Sequence, residues 1–193
     1  TITLTSPSEK IKISIRITDS VYYSLEVNKH QVLNPSAIAL LTHRTKLGIN
    51  AHVTGTKTRS VNEMIVNPVP YKRKNIPDHF NELTVLFREN FSIIFRAYDD
   101  GIAYRFQTSF RDSVQVNQEV ATFRFAHKGT VYFSEVQKRD QLDTYHTSFE
   151  EPYRILSLPE VAETQRSFTP VLVDDSTIKA VITESDLLDY PGM

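Results

Sequence analysis

A chain of 193 residues, 40% hydrophobic and 23% charged, is long enough for a sizeable buried core and ordinary in composition for a globular protein. A formal net charge of −1, with lysines and arginines interspersed among acids, argues against nucleic acid as a partner, because phosphate binding draws on a basic patch. With no cysteine, the chain offers no thiol nucleophile and no disulfide framework. No apolar run approaches the ~20 residues that span a bilayer, so no membrane span is expected. The chain opens at Thr1 without a charged leader, which reads as a processed or trimmed N-terminus.

The clearest pattern comes early. Ile11, Ile13, Ile15 and Ile17 alternate with Lys12, Ser14, Arg16 and Thr18, the signature of a strand with one buried and one wet face. Asp19-Ser20 turns the chain, and Val21, Tyr23, Leu25 and Val27 repeat the alternation, predicting a hairpin. Asn28-Lys29-His30 makes the next turn. Gln31 to Leu41 is apolar but broken by Asn34-Pro35, so it reads as a short strand, a turn and a second strand. From Thr42 to Lys74 the pattern fades. Thr54-Gly55-Thr56 and Pro68-Val69-Pro70 are breaker signals, and the scattered bases Lys57, Arg59, Lys72, Arg73 and Lys74 suggest a solvated loop, with room for short strands.

Order returns at Asn81. Leu83, Val85 and Phe87 share one face, and Phe91 to Tyr98 is dense in aromatic and β-branched residues. Asp99-Asp100-Gly101 is expected to close a hairpin with glycine supplying a positive φ, and Ile102 to Gln107 returns. Gln118 to Phe125, Thr130 to Val136, Val171 to Asp174 and Ile178 to Thr183 are short and strand-like, the last two joined by Asp174-Asp175-Ser176. Gln137 to Arg154 and Pro159 to Ser167 read as helices or long loops. Many short strands with turns every ~8–12 residues predict an all-β sandwich in one undivided domain, residues 1–193.

Few constellations carry chemistry. Acid–base work on a bond needs carboxyl groups brought together in space, which adjacency in sequence does not provide. Asp99-Asp100 and Asp174-Asp175 are turn residues by their chemistry. Glu150 and Glu151 sit among Tyr145, His146, Phe149 and Tyr153, a mixture that would suit a carbohydrate subsite, though a loop packed by its own aromatics is the commoner outcome. Glu184, Asp186 and Asp189 crowd the last stretch, beside Tyr190 and a Pro-Gly turn. Gathered carboxylates are what a hard cation such as calcium needs, yet no EF-hand loop is present, and on residues alone a solvated acidic turn is the stronger reading. The six histidines are dispersed without metal-site spacing, and neither a Gly-x-Ser-x-Gly elbow nor a phosphate-cradling glycine loop occurs.

Three segments in order carry a resemblance: Ser6-Pro-Ser-Glu-Lys-Ile-Lys-Ile with Tyr22-Tyr-Ser-Leu-Glu-Val27; Asn81-Glu-Leu-Thr-Val-Leu-Phe87 with Phe95-Arg-Ala-Tyr-Asp-Asp-Gly-Ile-Ala-Tyr-Arg105; and Ile182-Thr-Glu-Ser-Asp-Leu-Leu-Asp-Tyr-Pro-Gly-Met193. Together they span essentially the whole chain, and it resembles the N-terminal domain of glycoside hydrolase family 97. Those are secreted or periplasmic α-glucosidases and α-galactosidases, notable in gut Bacteroides. The resemblance implies a large two-sheet β-supersandwich of the sugar-mutarotase kind, followed by a catalytic (β/α)8 barrel. It implies that the barrel holds the reacting carboxylates and a calcium ion, and that Glu184 ligates that ion; the resemblance carries over Glu184 alone, leaving Asp186 and Asp189 as candidates for outer positions. The substrate would be an oligosaccharide with α-linked glucose or galactose. The family has inverting and retaining members, and the deciding residue would lie in the barrel. The chain alone is therefore expected to be inactive, with Glu150, Glu151 and Tyr153 as substrate-binding candidates, and an apolar face is expected where the barrel docks. The competing readings are a free-standing carbohydrate-binding sandwich and a purely structural interaction domain.

Overall fold

The computed structural model describes residues 1–69, 72–137, 147, 150–188 and 190. The chain is built of antiparallel sheets, and the only helical element among the described residues is one 3-10 turn, Leu158–Glu160. It divides into two compact units, Thr1–Ala126 and His127–Met193. No helix among the described residues is long and apolar enough to cross a membrane.

The first unit holds two sheets. One runs β1 (Ile2–Thr5), β2 (Ile11–Ile17), β3 (Val21–Val27), β4 (His30–Thr42) and β10 (Val116–Ala121), with the short β5 (Lys46–Leu47) also on β4. The other runs β6 (Val53–Val66), β7 (Asn75–Phe87), β8 (Phe91–Tyr98) and β9 (Ile102–Thr108). The alternating isoleucines meet their expected partners: Ile13 lies opposite Leu25, Ile15 opposite Tyr23 and Ile17 opposite Val21. Ile13, Ile15, Val21 and Tyr23 are buried, as are Leu83, Val85, Ile93 and Phe95 of the second sheet. Each of these residues removes most of a large apolar side chain from water, worth about 1.5–3 kcal/mol apiece. The sheets face one another: Tyr104 of β9 packs between Tyr23 and Phe95, with ring centroids 5.8 and 6.3 Å away. Asn81 of β7 donates to the Thr5 carbonyl of β1 at 2.9 Å, and Asp99 at the β8–β9 turn accepts from both the amide and hydroxyl of Ser8. Those two donors hold the Asp99 carboxyl below its ordinary pKa.

Two sequence expectations in this unit are corrected. Gln31 to Leu41 is not two strands around a turn, because β4 runs unbroken through Asn34-Pro35. The pair forms a bulge: Tyr23 lies opposite Ser36 and Leu25 opposite Leu33, so the strand accommodates proline at a local break in the ladder and then resumes pairing. The fully buried Ser36 hydroxyl stitches this bulge, donating to the Asn34 carbonyl and accepting from the Arg124 amide. The basic stretch after Thr42 is likewise not mostly loop, since β6 is a long edge strand. Its side chains are exposed nearly throughout, so no apolar alternation marks it, and Gly55 sits at a register shift rather than a turn. The Asp99-Asp100-Gly101 hairpin forms, but Gly101 does not take a positive φ. The glycine that needs that freedom is Gly48, at φ 89°, where a Cβ would come within 2.8 Å of the Ile38 carbonyl.

The second unit holds one sheet, in the order β12 (Arg154–Ser157), β11 (Thr130–Phe133), β13 (Val171–Asp174) and β14 (Lys179–Ile182). Strand β12 begins at Arg154, the last residue of the stretch expected as helix or loop; residues 150–153 are irregular chain, and most of that stretch lies outside the described residues. Pro159 to Ser167 continues as irregular chain after the 3-10 turn. Asp174 and Asp175 do build the β13–β14 turn: Asp174 accepts from the Ser176 amide, and Asp175 from those of Thr177 and Ile178. Lys179 and then the Ser176 amide depress the Asp174 pKa.

Candidate functional site

The sheet of the second unit is two-faced. Val131, Phe133 and Val173 on one face are buried. On the other, register aligns one residue from each strand in a row: Ile155 opposite Tyr132, Tyr132 opposite Leu172, and Leu172 opposite Val181. Tyr132, Leu172 and Val181 line a groove of about 330 Å³ together with Tyr153 and Pro170. This face is open, with Ile155 at 67% exposure, Val181 at 59% and Tyr153 at 51%. Apolar side chains so exposed, in register across four strands, make a patch rather than scattered surface residues. The sequence carries a signal for it. Val131-Tyr132-Phe133 and Val171-Leu172-Val173 are unbroken apolar runs, as in strands covered on both faces.

Glu184 lies at the end of this sheet. Extending the β13–β14 register beyond Val171 opposite Ile182 brings Thr169 opposite Glu184, and the Thr169 hydroxyl donates to Glu184 Oε1 at 3.4 Å. Thr169 precedes Pro170 of the groove, so the carboxylate flanks the apolar patch. It is half-buried, whereas Asp186 is exposed and holds a φ of 62°. Asp189 lies outside the described residues. Among the described residues no group of three or more histidines and acids is arranged to hold a metal ion. Calcium takes 6–8 oxygen ligands. The described residues fit calcium only as the source of one carboxylate to a sphere completed by other oxygens.

The remaining sequence candidates fall differently. Glu150 and Glu151 are exposed, and Tyr153 projects onto the groove. Tyr145, His146 and Phe149 of that patch lie outside the described residues. The groove lining is apolar apart from the two tyrosine hydroxyls. Sugar subsites combine apolar walls with several placed polar groups, so this lining suits a protein surface better than a sugar ring.

Sequence reasoning assigned no role to Glu82, the most enclosed carboxylate of the first unit. Arg59 grips it with Nε and Nη2 at 2.6 and 2.9 Å, and Arg96 Nε reaches it at 2.8 Å. Arg96 also lies 4.3 Å over the Phe80 ring. The Arg59 hydrogen bonds hold the Glu82 pKa down against the upward push of burial, with Arg96 assisting. All three groups are mutually satisfied, so this cluster is a clamp across β6, β7 and β8 rather than a reactive centre. A second crevice, about 230 Å³ and polar, runs beside it between Thr3–Thr5 and Thr58–Ser60.

The Glycosyl-hydrolase 97 N-terminal family model matches residues 4–193. The chain belongs to glycoside hydrolase family 97, of which it is an N-terminal domain. A retaining alpha-galactosidase of Bacteroides thetaiotaomicron is 36% identical over 196 aligned positions, covering 99% of this chain and 30% of that protein. The fold agrees with a family 97 enzyme from Pseudoalteromonas sp. strain K8, solved in complex with acarbose, at a TM-score of 0.83 and 22% identity over 100% of this chain and 30% of that one. A beta-arabinopyranosidase structure superposes at a TM-score of 0.76 and 22% identity, covering 89% of this chain and 29% of that one. This family 97 domain therefore spans less than a third of the length of these relatives.

Proposed function

We propose that this chain is the non-catalytic N-terminal domain of an α-glucosidase or α-galactosidase, docked on a catalytic barrel and shaping one wall of its pocket. The observation that carries the reading is the open apolar face of the second unit with Glu184 on its flank. A face of that kind is stable in water when a second surface covers it, and the α-galactosidase relative is more than three times as long as this chain's match to it. The carboxyl pair that cleaves the glycosidic bond would belong to the barrel.

In this reading Glu184 supplies one carboxylate oxygen to a calcium ion shared with the barrel, and Thr169 holds that carboxylate through its hydroxyl. A calcium ion bound there would contribute a fixed positive charge beside the scissile oxygen. Residues Tyr132, Tyr153, Ile155 and Val181 exclude water from the contact, which keeps the Glu184 carboxylate in a fixed orientation. The substrate is an oligosaccharide ending in α-linked glucose or galactose, with the exposed carboxylates Glu150 and Glu151 as the groups that would meet its hydroxyls. The setting is periplasmic or extracellular, which a cysteine-free chain tolerates without mispairing.

The test compares two proteins, the 193-residue chain and a polypeptide of the relatives' length, on chromogenic α-galactosides and α-glucosides. The expected result is turnover by the longer protein and none by the chain alone. Turnover by the chain alone, or tight oligosaccharide binding that survives loss of the longer region, would replace this reading with an independent enzyme or sugar-binding module.

A further inference from the structure

The ladder between β6 and β7 outruns the rest of its sheet. Strand β8 pairs with β7 only from Phe80 to Phe87, whereas β6 stays alongside β7 out to Val66 opposite Asn75. The outer pairs, from Asn62 opposite His79 to Val66 opposite Asn75, thus form a two-stranded ribbon with no third strand. Such a ribbon is marginal in water by itself. Its outer half carries apolar residues on both faces, because strand side chains alternate: Met64 and Val66 project to one side, Ile65 and its cross-strand partner Ile76 to the other, while Asn62 opposite His79 and Glu63 opposite Asp78 make its base polar. All four are exposed, Met64 at 56% and Val66 at 60%, and Val69 beyond them reaches 76%. These five are nearly half of the eleven large hydrophobics exposed among the described residues, gathered within thirteen positions of sequence. Lys72, Arg73 and Lys74, all exposed, follow at the tip.

We propose that this ribbon is an arm that inserts into the part of the polypeptide this chain does not span, the apolar residues on its two faces seated in a cleft whose far end is acidic. The inference rests on the reading of the chain as one domain of a longer enzyme. A single flat surface could cover only one side of the ribbon, so apolar residues on both sides call for a cleft. Three consecutive cations at the tip call for carboxylates at the far end of that cleft. The occupant is the enzyme's own remaining region, since the relatives carry more than two thirds of their length outside the part matched here.

Met64 reports on the arm directly, because methionine oxidation follows exposure. The full-length polypeptide is treated with hydrogen peroxide and the Met64 peptide followed by mass spectrometry, native and in urea. Burial of the arm is expected to slow oxidation about tenfold or more relative to urea, equally at dilute and concentrated protein. The triple variant Lys72→Glu, Arg73→Glu, Lys74→Glu should bring oxidation back about fivefold or more while leaving the circular dichroism spectrum unchanged. Native oxidation as fast as in urea would overturn the arm. Protection that fades on dilution would assign it to a second copy and overturn the proposed occupant, and protection indifferent to the triple variant would overturn the acidic far end of the cleft. Failure of the enzyme reading would show separately, as absent α-glycosidase turnover in the same preparation.

Discussion

The two-sheet sandwich of the first unit and the single sheet of the second treat apolar surface in opposite ways. In the first, two sheets close on each other, so that Ile11, Ile13 and Ile15 of β2 and the phenylalanines of β8 are buried. In the second, a single sheet buries Val131, Phe133 and Val173 on one face and leaves Ile155, Val181 and Tyr153 open on the other. The same residue types serve stability in one place and association in the other. What separates them is whether the covering surface belongs to the unit itself. Substitutions should then split cleanly, costing stability in the sandwich and association on the open sheet.

The largest effect is expected in the closed core. Phe95→Ala removes a fully buried ring between the sheets and should cost about 3–5 kcal/mol in urea denaturation. A loss under 1 kcal/mol would mean that the sandwich is not the stabilising core. Next comes the clamp. Glu82→Gln leaves two partly solvated guanidiniums around a neutral amide and should cost about 1 kcal/mol near neutral pH. The sign of its pH dependence follows from the depressed pKa. The clamp contributes fully above the ordinary glutamate value of 4.5 and is lost as pH falls through the lower folded value. Urea midpoints of wild type and variant should therefore converge in acid, and parallel curves would contradict the assignment. The smallest effect on the chain itself is expected from Ile155→Lys and Val181→Lys, within about 0.5 kcal/mol each because both side chains are already solvated. The same pair in the longer enzyme should lower its unfolding temperature, and an unchanged transition would remove the docking role of this face.

How much of this could be read from the residues follows the same division. The β2–β3 hairpin was legible because one wet and one buried face impose a period of two, and the isoleucines keep it. Strand β6 was not, because an edge ribbon exposed on both sides has no reason to alternate. Asn34-Pro35 looked like a turn and proved to be a bulge, since what rescues proline there is the hydroxyl of Ser36 and the chain at Arg124, remote in sequence. The role proposed for Glu184 came from resemblance alone. Spacing could not supply it, because the oxygens that would complete a calcium sphere are not gathered among the described residues. The groove left a trace in the unbroken apolar runs of β11 and β13, but naming its lining required the register that sets Tyr132, Leu172 and Val181 side by side. Glu82 stood inside a recognised motif yet gave no sign of its partners, which come from neighbouring strands.

The most direct test of the account is a calcium titration of the full-length enzyme, calorimetric and metal-free at the start, on wild type and Glu184→Gln. A carboxylate that ligates the ion should cost about tenfold or more in calcium affinity when neutralised, with turnover falling in parallel and recovering at high calcium. Equal affinity and equal turnover in the two proteins would contradict the central claim, leaving the open sheet as a docking face with no part in the active site.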